Sequence, residues 1–129
     1  MDNLEIAIVI FAYNRPLHLQ STLNSLARNA EAKNLPLVAF IDGPRSIEDA
    51  GLTKQVESIV NNANGFSSVT SIARKNNLGL YKSITLGVTE ILKDYEAIIV
   101  VEDDMITSPY FIRYMIRWNI DILFNWIVG

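Results

Sequence analysis

Residues Ala97-Ile98-Ile99-Val100-Val101 run without a polar side chain into Glu102-Asp103-Asp104. A short, β-branched, uncharged run is the pattern of a strand covered on both faces, as in a parallel sheet. Three carboxylates on one turn repel each other, a cost that a bound cation would relieve. Open α/β sheets hold their ligands just past the carboxyl ends of their strands, so this junction is the first candidate site. A divalent metal holding a phosphate-bearing ligand is the chemistry it suggests.

Three more apolar runs precede it. Ile6 to Phe11 predicts strand one, broken by Ala12-Tyr13-Asn14-Arg15-Pro16, with Pro16 suited to a first helical turn. Leu19, Leu23, Leu26, Ala27 and Ala30 recur at helical spacing and predict a helix from Leu17 to Ala32. Leu37 to Ile41 is strand two, turned by Asp42-Gly43-Pro44. Ser46-Ile47-Glu48-Asp49 matches a capping box, and Leu52, Val56, Ile59 and Val60 give the next helix its buried stripe. Val69 to Arg74 is a weaker strand three, with Ser and Thr at alternating positions. After Lys75 to Gly79, a helix over Leu80 to Leu92 leads into the run at Ala97.

Strands alternating with helices predict a single α/β domain over residues 1–129, three-layered and Rossmann-like, with a mostly parallel sheet. Every loop that follows a strand then lies at one end of that sheet: Tyr13 to Arg15, Asp42 to Arg45, Arg74 to Gly79, and Glu102 to Asp104. The segment 109–129 differs, because aromatic and aliphatic residues circle its predicted helix, which runs from Ser108 and Pro109 towards Asn125. Such a helix is expected to be covered by protein or to form an interface, self-association included. Only four strands come before it, so the domain reads as cut short.

Composition narrows the chemistry. A net charge of -3 with no basic block gives no electrostatic reason to expect nucleic acid. The absence of cysteine excludes disulfides, thiol catalysis and thiolate metal sites. His18 has no partner at ligand spacing, which argues against zinc. Charges at Arg113, Arg117 and Asp121 argue against a membrane span in the last helix. Met1 to Glu5 lacks the positive start of a signal peptide, so a cytoplasmic location is expected. No G-x-G-x-x-G, Walker A or G-x-S-x-G pattern is present.

The candidate site residues also have plain structural readings. Asp42 is either the first residue of a D-G-P turn or an acceptor for a base N–H or a ribose hydroxyl. Arg15 either closes a helix start or faces a phosphate. Arg74 and Lys75 either belong to a solvated loop or neutralise a diphosphate, and Lys82 reads as surface. Gly79 is expected to supply a positive φ, and Gly87, inside a helix, to mark close packing.

Taken in order, Ile6 to Pro16, strand-ending Asp42, Arg74 with Asn76-Asn77-Leu78-Gly79-Leu80, and Val101-Glu102-Asp103-Asp104 resemble the nucleotide-sugar-dependent glycosyltransferases of the GT-A fold. The pattern is similar to the family-two type, and its E-D-D form to that of N-acetylglucosaminyltransferase I. The resemblance covers the chain to about Tyr114. It implies a nucleotide-diphosphate sugar donor, UDP- or GDP-linked, with Mn²⁺ or Mg²⁺ as cofactor. It implies that Asp42 contacts the nucleobase, that Arg15 and Arg74 lie near base or phosphates, and that Ala12 and Tyr13 belong to the same donor site. Asp104 would be the direct metal ligand, Asp103 would touch ribose or metal, and Glu102 would face the donor sugar.

In that family the catalytic base of inverting members follows the metal motif. Here the only acid after Asp104 is Asp121, inside the predicted last helix, so no catalytic base is assigned. The expectation is the donor-binding half of a glycosyltransferase. A non-catalytic binding or assembly module with a vestigial site is the alternative. A phospho-acceptor receiver domain is disfavoured because it wants a pair of acids where Tyr13-Asn14-Arg15 stands. A nucleotidyltransferase is disfavoured for want of a Gly-rich loop after strand one.

Overall fold

The computed structural model describes residues 5–121, with side chains through Arg117. Its elements are β1 (Ile6–Ala12), α1 (Pro16–Ala27), a short 3-10 helix (Ala30–Asn34), β2 (Pro36–Ile41), α2 (Ile47–Asn61), β3 (Ser68–Ala73), α3 (Leu80–Ile91), β4 (Ala97–Glu102) and α4 (Phe111–Asp121). The four strands form one sheet in the order β3-β2-β1-β4, and every pair is parallel. The expected α/β class is what the chain adopts.

Alternation of side chains along the strands builds a core on each face of this sheet. Ile6, Ile8 and Ile10 of β1, with Leu37, Ala39, Ile41, Ile99 and Val101, meet Leu19, Leu23 and Leu26 of α1, Val56 and Val60 of α2, and Ile112 and Met115 of α4. On the other face Ala7, Val9, Phe11, Val38, Phe40, Ile98 and Val100 meet Ile84, Val88 and Ile91 of α3. The result is three layers, with β1 fully buried because it is paired on both edges and covered on both sides. The weaker β3 is the sheet edge, where its Ser and Thr positions meet solvent.

Two boundaries differ from the sequence expectation by more than one residue. The first helix ends at Ala27 rather than Ala32, because buried Asn29 donates its amide to the Ser25 and Leu26 carbonyls and so completes the last turn. Its Oδ1 then accepts the N–H of Ile112 at 2.9 Å, fixing the start of α4. That helix accordingly begins at Phe111, not at Ser108. The expectations for Phe124, Asn125, Trp126 and the Trp118 side chain fall outside what the structure describes. Within it, Ile112 and Met115 face the core while Tyr110 and Tyr114 stay exposed. No helix among the described residues is long and apolar enough to cross a membrane.

Gly87 does mark close packing. A Cβ there would lie 2.7 Å from Phe11 Cε1 and 3.1 Å from Phe40 Cδ2, and those two rings are stacked with centroids 5.4 Å apart. Gly51 in α2 has nothing within 4 Å of such an atom. Ala is favoured over Gly in a helix by about 1 kcal/mol. Gly51→Ala should therefore stabilise the fold by about that amount. Gly87→Ala should destabilise it by about 1 kcal/mol net, because overpacking against two buried rings outweighs the propensity gain. Urea denaturation of the two variants beside the wild type checks both signs.

Candidate functional site

The chain leaves β1 for β2 on one side of the sheet and returns, after β3, to place β4 on the other side of β1. The loops after β1 and β4 therefore diverge from neighbouring strands, and a crevice opens at their carboxyl ends. A cavity of about 360 Å³ lies there, within the range of small-molecule sites. Phe11 to Arg15, Asp42, Arg45, Asn77, Gly79, Leu80, Ser83, Glu102 and Asp103 line it. All four post-strand loops contribute lining residues, the one after β3 through Asn77 and Gly79.

One electrostatic contact crosses the crevice. Arg15 Nη2 donates to Asp103 Oδ1 at 2.6 Å, and Nη1 reaches Asp104 Oδ2 at 3.5 Å. Asp103 is 4% exposed. Its burial raises its pKa, and the neighbouring Arg15 charge and hydrogen bond oppose that rise. Asp104 points outward, with 45% of its side chain exposed, over a shallow depression shared with Leu17, His18, Ser21 and Ile106. Adjacent acids on one turn thus share one guanidinium, Asp103 as its buried partner and Asp104 as its exposed one.

The turn that carries them is fixed from α1. Thr22 Oγ1 donates to the Asp103 carbonyl at 2.8 Å, and Ser25 Oγ accepts the Thr107 N–H at 3.0 Å. With Asn29, two residues past the end of α1, these form a buried polar row beside the inward leucines of that helix. Thr22 and Ser25 satisfy buried backbone groups of the irregular stretch between β4 and α4, and Asn29 satisfies an N–H in the first turn of α4 that has no partner within the helix.

The opposite wall is organised by Asp49, which sequence reasoning placed only in a capping box. Ser46 Oγ does accept the Asp49 N–H at 3.2 Å, as that motif expects. The Asp49 carboxylate, however, accepts from the Tyr13 hydroxyl, from Asn14 Nδ2 at 3.0 Å and from the Arg45 N–H at 3.2 Å. Burial first, and the Asp49 contact second, raise the Tyr13 pKa, while the Tyr13 and Asn14 bonds lower that of Asp49. The Tyr13 ring is thereby held against the start of α2.

Asp42 directly follows the last residue of β2, and its carboxylate faces the loop before α3. Oδ1 accepts the N–H groups of Gly43 and Leu78 at 2.8 Å each, and Oδ2 accepts Gly79 N–H at 3.0 Å and Asn77 Nδ2 at 3.3 Å. Gly79 has φ +83, the positive value expected of it, and stands at the N-terminal boundary of α3. Arg45, unremarked in the sequence, extends over the cavity with Nε on Asn77 Oδ1 at 3.2 Å. Ser83 and Leu80 complete that side.

The structure brings Ala12, Tyr13, Arg15, Asp42, Glu102 and Asp103 to one cavity, whereas Asp104 lines the separate depression and is linked to the cavity through Arg15. It does not bring Arg74 there. That guanidinium lies 5.2 Å above the Phe40 ring and 3.7 Å from Glu90 of α3, because the residue after an edge strand turns towards the α3 face. No protein-family model matches the chain, and no curated protein matches it either.

Among the described residues no cluster of three or more acid or histidine side chains is arranged to enclose a metal by itself. The donor set that exists is a pair of hard carboxylates, one of them open to solvent. Such a pair fits Mg²⁺ or Mn²⁺ that takes one or two carboxylates and completes its shell with water and ligand phosphates.

The Asp103 shift gives a pH signature. A raised pKa means that the folded protein holds this proton more tightly than the unfolded chain. Between the ordinary value of 3.8 and the raised one, the unfolded chain therefore binds fewer protons, and stability falls as pH rises. Asp103→Asn removes that dependence. The thermal midpoint of wild type minus that of the variant should drop as pH rises through the window just above 3.8, then level off. A difference that grows over the same window would mean that the Arg15 pairing outweighs burial.

Proposed function

We propose that the crevice binds a nucleoside-diphosphate sugar together with Mg²⁺ or Mn²⁺, and that the chain is the donor-binding part of a metal-dependent glycosyltransferase. The observation that carries this reading is the meeting of the loops after β1, β2 and β4 around one cavity, with a guanidinium facing two carboxylates across it. The motif order through Glu102-Asp103-Asp104 adds the resemblance already described. When bound, the metal supplies Lewis acidity that neutralises the leaving diphosphate.

The protein's own contributions are positional. Asp104, 45% exposed beside Arg15, is the group able to reach a metal that also holds ligand phosphates. Arg15 is positioned to lend a bidentate guanidinium to those phosphates once the metal competes for its carboxylate partners. Tyr13, fixed by Asp49, offers a ring face to a planar base. Glu102 lines the cavity beside Asp103 and is the acid placed to meet the sugar. No residue is assigned as the base that deprotonates an acceptor.

A binding or assembly module is the second reading, favoured by the exposed Tyr110 and Tyr114 of the α4 region and the nearby exposed Ile106. Calorimetric titration with UDP and GDP, with and without Mn²⁺, separates the two. Metal-dependent binding of one nucleotide is expected, and none for either would sink the glycosyltransferase reading. Asp104→Asn should abolish the metal dependence with little change in thermal midpoint, since its exposed contact to Arg15 is worth only about 0–1 kcal/mol.

A further inference from the structure

The resemblance would make Asp42 a nucleobase contact, yet its carboxylate is already committed. An ionised carboxylate offers about four lone-pair sites. Four N–H groups occupy them here: those of Gly43, Leu78 and Gly79, and the Asn77 amide. The residue is only 7% exposed. Two of these donors, Leu78 and Gly79, immediately precede α3, whose boundary residue Gly79 has no side chain to cap it. A carboxylate from β2 thus supplies the acceptor that a helix start needs, and the negative charge that its dipole favours.

The backbone around it is shaped for the same contact. A Cβ on Gly43 would fall 2.3 Å from the Asn76 carbonyl carbon, so the two loops touch backbone to backbone. Asn77 closes the junction, its amide donating to the Gly43 carbonyl at 2.8 Å as well as to Asp42. At this end of the cavity the terminal nitrogens of Arg45 make no hydrogen bond among the described residues. Its Nε is spent on Asn77 Oδ1, which orients the guanidinium and leaves its terminal nitrogens for an acceptor oxygen of a ligand.

We infer that Asp42 is a positioning residue, which caps α3 from β2 and sets the cavity wall without touching the ligand, and that Arg45 makes the ligand contact at this end. The inference rests on the nucleotide reading only for the identity of the ligand. An Asp42 that read the base would discriminate between nucleotides. An Asp42 that builds the wall serves every ligand alike.

The test uses Asp42→Asn, Gly43→Ala and Arg45→Gln in the full chain. Its readouts are amide exchange at Leu78 and Gly79 and calorimetric affinities for UDP, GDP and inorganic pyrophosphate with Mn²⁺. Gly43→Ala keeps the Asp42 carboxylate but forces the loops apart, so it still decides the matter if Asp42→Asn does not fold. Both variants should speed exchange at the two amides and weaken all ligands that bind by a common factor, leaving their ratios within about twofold of wild type. Arg45→Gln should keep the amides protected while lowering affinity roughly tenfold, the size of a lost charged hydrogen bond.

Loss of nucleotide affinity in Asp42→Asn, with pyrophosphate affinity and amide protection unchanged, would overturn the positioning role. Unchanged affinity in Arg45→Gln would overturn the contact. If wild type binds none of the three compounds, the nucleotide reading has failed. Amide exchange then decides the Asp42 cap alone, and unchanged exchange in both wall variants rejects it.

Discussion

The pairing of β1 with β2 on one side and β4 on the other is the constraint on which the rest of the structure depends. Parallel pairing needs a crossover each time, and the crossovers stack α1 and α2 on one face and α3 on the other. The register sets Ile10 against Val101 and Phe11 against Glu102, so the two strands end together. Tyr13 and Arg15 then leave β1 in the same plane as the acids that leave β4. Without that register the guanidinium would not meet Asp103.

A second layer of organisation is polar and buried. Thr22 and Ser25 on the inward side of α1 take up backbone groups from the segment between β4 and α4, and Asn29 just past that helix takes up one in the first turn of α4. Asp42 and Asp49 do the same for the walls at α3 and α2. In each case a buried or half-buried side chain satisfies a loop that has no ladder of its own, which is the condition under which irregular backbone can be held close to a core. The crevice is shaped by these satisfied groups more than by its apolar lining.

Charge completes the picture. The acids on the turn after β4 would repel one another if left alone, and Arg15 offsets that repulsion from across the crevice. One guanidinium against two carboxylates offsets the charge only in part, and the arginine is half exposed.

Much of the fold was legible in the sequence because its signals are local. β-branched runs, helical spacing of leucines, Pro16, the Ser46 cap and the glycines at 79 and 87 each report on a few neighbouring residues. The Glu102-Asp103-Asp104 junction was legible for the same reason, since an apolar strand that ends in acids states its own position. The early end of α1 was not, because Asn29 acts on α4, 83 residues away. Nor were the roles of Asp49, Arg45 and Asn77, or the turning of Arg74 onto Phe40. The sequence alone determined which residues stand at the ends of strands. Only the tertiary structure decided which of them face the cavity, because that depends on hydrogen bonds between loops distant in the chain.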